Sequence, residues 1–234
     1  MENIAQILAQ ELGQKTQYVE NVIALLDEGN TIPFIARYRK EMHGTMDDTT
    51  LRNLETRLNY LRNLEQRKEE ICNSIESQGK LTEELAEAIR NAQTLAEAED
   101  LYRPYKQKRR TRATVAKEKG LEPLALQIFE QNGEDPYILA ADYIDPEKGV
   151  ESIEDALAGA SDIIAEMISD DADIRKKLRQ KMERQAVISV AATDPDKDSV
   201  YRLYYNFTSP VSRIQNHQIL AIKRGEKEEF LKVS

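Results

Sequence analysis

The sequence LRNLETRLNYLRNL, residues 51–64, places a leucine at every third or fourth position. This spacing is typical of one apolar face of an amphipathic α-helix. The same face resumes at Ile71 and Ile75. The pattern therefore predicts one long helix over residues 47–78, which would extend for about 45 Å at ~1.5 Å per residue.

Residues 65–70, with the sequence EQRKEE, contain no apolar side chain. We therefore expect the long helix to be exposed around its whole circumference at this point. A dimeric coiled coil would need an unbroken apolar seam over about three or four heptads. The interruption instead favours a strut that bridges subdomains, and with it an elongated molecule.

Helical patterns dominate the chain on both sides of this strut. Three short helical segments precede it and resemble a helix-turn-helix, although any small helical bundle looks the same. The predicted domains are a helix-turn-helix-like unit over residues 1–46, the connecting helix over 47–78, a helical domain over 79–193 and a final segment over 194–234.

Only the C-terminal part of the chain departs from helical periodicity. The sequences AVISV (186–190) and FLKV (230–233) are rich in β-branched and apolar residues, and each predicts a short strand. The predicted fold class is all-α, an elongated multihelical assembly with minor β-structure near the C-terminus. Because the chain stops inside the second of these sequences, we expect it to be part of a longer protein.

The composition indicates a folded, non-membrane protein. Hydrophobic residues make up 40% of the chain and charged residues 32%, with a formal net charge of −9. The single cysteine, Cys72, excludes an intrachain disulfide and fits a reducing compartment. No stretch approaches the ~20 apolar residues of a membrane span, and the first residues lack the features of a signal peptide. The prediction is a cytoplasmic location.

The sequence offers little catalytic chemistry. Its two histidines, His43 and His217, lie far apart, and together with Cys72 they give no zinc-ligand spacing. His43 before Gly44 is typical of a helix C-terminus, and Cys72 fits a small, partly buried residue. No Walker loop or dinucleotide-binding glycine motif occurs. We expect no metal, no cofactor and no enzymatic activity.

A run of cations stands out against the acidic background of the chain. It contains six Lys or Arg residues within ten positions: Arg103, Lys106, Lys108, Arg109, Arg110 and Arg112. These are the candidate nucleic-acid-binding residues, and Tyr102 and Tyr105 beside them are candidate stacking residues. Three explanations stay open for this basic run: phosphate contacts, internal salt bridges to neighbouring helices, or contact with a protein partner.

Two long blocks of sequence are specific enough to indicate a family. The first is TIPFIARYRKE (31–41), and the second is DLYRPYKQKRRTR (100–112), which continues into KGLEPLA (119–125). Shorter segments are LNYLRNLE (58–65), GKL (79–81), ALAGA (156–160) and LAIKRGE (220–226). Together they resemble the bacterial Tex family of transcription accessory proteins, and the likeness covers essentially the whole chain. It is weak over residues 194–206, and IQNHQ (214–218) stands where a PSHR-like sequence is expected, which weakens any role for His217.

The resemblance implies a function in transcription. Tex proteins are similar in domain order to the eukaryotic elongation factor and histone chaperone of the Spt-six type. The family carries an RNase-H-like domain, helix-hairpin-helix units and an OB-fold RNA-binding domain beyond the region matched here. The resemblance therefore implies that residues 194–234 lead into the RNase-H-like domain, and that the strongest nucleic-acid binding lies elsewhere.

Two hypotheses from different classes follow. The first is a non-enzymatic helical scaffold that supports binding of RNA or DNA, weakly by this chain alone. The alternative is a protein–protein interaction module that docks on RNA polymerase or another transcription factor without touching nucleic acid. A nuclease acting through the adjacent domain is a distant third, since no carboxylate cluster suggests a two-metal site.

Overall fold

The computed structural model describes residues 4–234, which divide into two compact units, one ending at Tyr105 and one beginning at Lys106. The first unit is helical. In chain order its helices are α1 (Ile4–Leu12), α2 (Thr16–Asp27), α3 (Ile32–Tyr38), α4 (Lys40–His43), α5 (Asp48–Glu76), α6 (Glu83–Asn91) and α7 (Leu95–Tyr102), followed by a 3-10 turn at Arg103–Tyr105.

Helix α5 is the predicted long helix, and it has the predicted ends. Asp47 caps it, since its side chain accepts a hydrogen bond of 2.7 Å from the backbone N–H of Thr50. Beyond its last turn, Gly79 has a φ of +67°, a conformation that glycine adopts without penalty. We call its buried apolar face the apolar stripe; every member is at most 5% exposed: Leu51, Leu54, Leu58, Leu61, Leu64, Ile71 and Ile75.

The first half of the apolar stripe forms one core with the N-terminal helices. Leu8 of α1, Val22 of α2 and Ile35 of α3 are fully buried in the same cluster as Leu51 and Leu58. Burial of large apolar side chains is worth about 1.5–3 kcal/mol each. The long helix is therefore the surface against which α1, α2 and α3 pack.

The expectation that residues 65–70 are exposed all around is wrong at Lys68, which is only 7% exposed. Its Nζ donates hydrogen bonds to Oε1 of Glu65 at 2.7 Å and to the backbone carbonyl of Arg90 at 2.9 Å. Lys68 lies four residues after Leu64 and three before Ile71, on the face of the apolar stripe. Its methylenes bridge the gap in that stripe while the ammonium is satisfied at the edge.

The second half of the apolar stripe forms a separate core with α6 and α7. Leu64, Ile71 and Ile75 pack with Ile89 of α6 and Ala98 of α7, and all five are at most 2% exposed. Helix α5 thus contributes apolar side chains to two hydrophobic cores of the first unit.

The second unit contains helices and the small sheet. In chain order its elements are α8 (Arg112–Glu118), α9 (Glu122–Glu130), α10 (Pro136–Ala141), α11 (Ile153–Asp170), α12 (Ala172–Gln185), β1 (Val187–Ala192), β2 (Asn206–Pro210), α13 (Asn216–Lys227) and β3 (Leu231–Val233), with 3-10 turns at Pro146–Lys148 and Arg202–Tyr204.

Helix α11 organises the helical core of this unit. Its inner face presents Ala156, Ala160 and Ile163, all fully buried, to α8, α9 and α10. The small residues allow close packing: a Cβ at Gly159 would lie 2.4 Å from Cδ1 of Leu121. We infer that Gly159 permits the close contact of α11 with the α8–α9 turn.

The two predicted strands are confirmed as β1 and β3, and β2 was not predicted. All pairing is antiparallel in the order β2-β1-β3, with Val190 opposite both Phe207 and Val233. Val190, Tyr201, Ile222 and Leu231 form the core under the sheet. The sequence LAIKRGE, one of the shorter family matches, lies in helix α13, which precedes β3.

The fold class is therefore confirmed: the described chain is mostly helical, with one small sheet near the C-terminus. The helix-turn-helix character of residues 1–46 and the division of the chain into four domains stay predictions.

We predict that Glu11→Gln destabilises the protein at neutral pH. Both oxygens of Glu11 accept hydrogen bonds of 2.7 Å from Arg57, which joins α1 to α5 and holds the pKa of Glu11 below its usual 4.5. Because the two side chains are 38% and 36% exposed, the expected loss is at most about 1 kcal/mol in the free energy of unfolding.

The pH dependence of this loss follows from the lowered pKa. A carboxyl whose pKa is lowered by folding contributes stability above its unfolded pKa and loses it as the pH falls through the folded value. The difference between wild type and Glu11→Gln should thus shrink below about pH 4.5 in urea denaturation. Glu20→Gln, at an exposed position without an ion pair among residues 4–234, is the control. A pH-independent difference would contradict the prediction.

Candidate nucleic-acid interface

The basic run spans the boundary between the two units. Arg103 lies in the 3-10 turn that ends the first unit, and residues 106–111 form a loop at the start of the second. Arg112 then begins α8, where the Thr111 hydroxyl accepts a hydrogen bond of 3.1 Å from the backbone N–H of Thr114. Capping of α8 by Thr111 thus fixes where the loop ends.

Lys108 is held by carboxylates of α11. Its Nζ donates a hydrogen bond to Asp170 and lies 3.5 Å from Oε1 of Glu166, and the side chains of the two acids are 12% and 23% exposed. Glu166 also accepts a 3.0 Å hydrogen bond from the hydroxyl of Thr111. Lys108 therefore fits the internal salt-bridge explanation, because the two carboxylates neutralise its charge and the ion pairs connect the loop to α11.

Arg110 and Arg112 are much more exposed. Arg110 contacts Glu118 at 2.6 Å with 69% of its side chain exposed, and Arg112 lies 3.4 Å from Asp162 with 88% exposed. Ion pairs at such exposure are worth little, about 0–1 kcal/mol. Both guanidinium groups are therefore open to a ligand in solution.

The remaining three cations of the run are exposed as well. Arg109 forms no ion pair with any residue in the range 4–234. Arg103 and Lys106 each have an interaction partner. Arg109, Arg110 and Arg112 are thus the members of the run best placed to bind phosphate.

Tyr102 and Tyr105 are partly buried rather than displayed. Both pack against the second core of α5. The Tyr102 hydroxyl shares a hydrogen bond of 3.0 Å with Ser74, and the Arg67 guanidinium lies 5.6 Å from the centre of its ring. Their stacking on bases stays a prediction, and the structure gives both rings a packing role that the sequence interpretation missed.

Helix α12 is a second basic element of the chain. Its 14 residues include six cations and two acids, and no residue of the helix is buried. One side of it exposes Ile174, Leu178 and Met182 by 42%, 54% and 53%. A basic helix with an exposed apolar side is typical of an interaction surface.

The histidines and the cysteine are not brought together. His43 ends α4 as predicted, is 3% exposed, and neither ring nitrogen has a hydrogen-bond partner within the described chain. His217 is exposed in α13. Cys72 is half-buried, and burial raises the pKa of its thiol. Across residues 4–234, no group of three or more His, Cys, Asp or Glu side chains is placed to hold a metal ion.

Comparison with known proteins identifies the family. Residues 2–76 match the family model of the Tex-like protein N-terminal domain, and residues 131–234 match that of the Tex central region. The chain belongs to the Tex family. The stretch between the two matches contains the whole of the basic run.

Several curated relatives align with nearly all of this Tex-family chain. Protein YdcI of Bacillus subtilis is 48% identical over 99% of the chain, and protein tex of Bordetella pertussis is 44% identical over 97%. The human S1 RNA-binding domain-containing protein 1 is 32% identical over 99%. The chain spans 33%, 29% and 24% of these relatives, so it corresponds to a third or less of their length. No helix within residues 4–234 has the length and apolar character needed to cross a membrane.

We predict that Lys108→Met lowers the thermal stability of the protein. The change keeps the length of the side chain but removes its ammonium from Glu166 and Asp170, which repel one another at i, i+4 on α11. A charged hydrogen bond of this kind is worth about 1.5–3 kcal/mol. Arg110→Met, at a pair 69% and 53% exposed, is the control and should change stability by less than about 0.5 kcal/mol. Equal melting temperatures for the two variants would show that Lys108 has no structural role.

Proposed function

We propose that this chain is a non-enzymatic, cytoplasmic scaffold segment of a transcription accessory protein, and that it supports nucleic-acid binding through the basic run. The observation that carries the proposal is the exposure of Arg109 and Arg110 on the loop and of Arg112 at the start of α8, in an acidic protein. Exposed cations with weak ion pairs or none, concentrated against a net charge of −9, favour a polyanionic ligand.

The family supports the same conclusion. Relatives carry the names transcriptional accessory protein Tex, from Neisseria gonorrhoeae, and S1 RNA-binding domain-containing protein 1, from human. We extend transcription and RNA binding from those names to this chain as part of the proposal. The few exposed cations and the overall negative charge imply weak binding without base specificity.

The rival function is a protein–protein interaction module, and helix α12 is the observation that favours it. The exposed apolar side chains Ile174, Leu178 and Met182 would serve a protein partner such as RNA polymerase better than they would serve phosphates. Under this function, Leu178→Glu would abolish binding to purified RNA polymerase, whereas loss of the loop arginines would leave that binding intact.

We predict that the triple variant Arg109→Gln, Arg110→Gln, Arg112→Gln weakens binding to single-stranded RNA and DNA of every sequence alike. Each lost phosphate contact should flatten the dependence of log K on log salt by about 0.7. Fluorescence anisotropy with labelled oligonucleotides across a salt series measures both effects. Because the ion pairs of Arg110 and Arg112 are exposed and Arg109 forms none in the described chain, the variant should keep the wild-type melting temperature.

The control is a triple variant with the same change in net charge at other exposed cations, Arg202→Gln, Lys223→Gln, Lys227→Gln. It should bind much more like wild type. Equal weakening by both variants would assign the effect to net charge and contradict a site on the loop. Absence of binding by the wild type at low salt would overturn the proposed function.

A further inference from the structure

Helix α3 displays two aromatic rings on its outer face. Phe34 and Tyr38, one helical turn apart, are 36% and 56% exposed, and their ring centroids are 5.3 Å apart. On the opposite face, Ile32 and Ile35 are buried in the first core of α5. The two rings are therefore held outward by a helix anchored to the core, rather than by a mobile loop.

Two arginines lie near the faces of these rings, and a lysine follows them in the sequence. The guanidinium carbon of Arg37 lies 5.9 Å from the centre of the Tyr38 ring, that of Arg39 lies 5.5 Å from the centre of the Phe34 ring, and Lys40 follows at the start of α4. All three are exposed. We call Phe34, Arg37, Tyr38, Arg39 and Lys40 the α3 patch.

The cations of the α3 patch differ from other arginines of the same unit. Five of those arginines contact carboxylates at 2.6–2.8 Å: Arg52 with Asp48, Arg57 with Glu11, Arg62 with Asp27, Arg67 with Glu99 and Arg90 with Glu83. Within the part of the chain that the structure describes, Arg37, Arg39 and Lys40 form no ion pair. In a protein with 42 acidic residues, three neighbouring cations without carboxylates mark a place where an external anion can supply the negative charge.

We propose that the α3 patch binds single-stranded nucleic acid, with bases stacked on Phe34 and Tyr38 and phosphates bound by Arg37, Arg39 and Lys40. Exposed rings next to cations are the combination that single strands recognise, because every base has a face to stack and every nucleotide a phosphate. A duplex keeps its bases stacked on each other and cannot offer them to these rings. The inference rests on the proposed function for its ligand class, but it places the binding on the first unit, whereas Arg109, Arg110 and Arg112 belong to the second.

The test of stacking is Tyr38→Ala, with Tyr38→Phe as the matched control. Binding of labelled oligo(dT) and oligo(U) is measured by fluorescence anisotropy, beside a duplex of the same length. Because loss of one base–aromatic stack weakens binding by roughly tenfold, Tyr38→Ala should weaken single-strand binding about tenfold with an unchanged salt slope. Tyr38→Phe should bind like wild type. The position is 56% exposed, so both variants should keep the wild-type melting temperature.

The phosphate contacts are tested by Arg37→Gln, Arg39→Gln in the same assay. This variant should flatten the salt slope by about 0.7 per lost contact, whereas Tyr38→Ala should leave the slope alone. Stacking on the patch would be overturned if Tyr38→Ala bound single strands with wild-type affinity. It would also be overturned if this variant lost as much affinity for the duplex as for single strands. Competition by polyglutamate as effective as by oligo(U) would also overturn it, since the patch would then be a general acidic-protein site.

The outcomes separate this inference from the proposed function. If Tyr38→Ala binds normally while the loop triple variant loses binding, the α3 patch is overturned and the proposed function stands. If Tyr38→Ala loses binding while the loop variant binds normally, the patch is supported and the proposed role of the basic run fails. If the wild type binds no oligonucleotide at low salt, both are overturned.

Discussion

The first unit depends on the continuous apolar stripe of α5. Its first half receives α1, α2 and α3, and its second half receives α6 and α7. Lys68 joins the halves, since its methylenes fill the position where the sequence has no apolar residue. Because α3 is held by this stripe through Ile32 and Ile35, the orientation of the α3 patch depends on the same packing.

The cations of this acidic protein fall into those that join elements of the fold and those that are exposed to solvent. Many arginines join elements together, as Arg57 joins α5 to α1 and Arg62 joins it to α2. In the second unit Lys108 ties a loop to α11. Against this background, we base the proposed functions on the clustered, exposed cations of the basic run and of the α3 patch.

The sequence predicted the features that depend on local pattern. The extent of α5 followed from its apolar periodicity, and β1 and β3 from their β-branched and apolar residues. It missed features that depend on tertiary contacts. Lys68 is a charged residue, but most of its side chain consists of methylene groups that can be buried. Strand β2, with Asn206, Ser209 and Pro210, has weak strand propensity and forms by pairing with β1.

The candidate site was predicted only in part. The sequence located the basic run but could not distinguish Lys108, which is held by carboxylates, from the highly exposed Arg109 and Arg112. The reason is that Asp170, which binds Lys108, lies 62 residues further along the chain, on α11. The sequence interpretation did not single out Phe34 and Tyr38. Helical spacing places them one turn apart, and the structure shows that they lie away from the buried Ile32 and Ile35, with exposed rings.

The most direct test of this account is native-state hydrogen exchange along α5, resolved to single amides. If Lys68 completes the apolar stripe, the amides of residues 65–70 should be protected as strongly as those around Leu58 and Ile71, because one continuous packed helix opens only with its two cores. Fast exchange confined to residues 65–70, with strong protection on both sides, would contradict the account and restore the exposed strut.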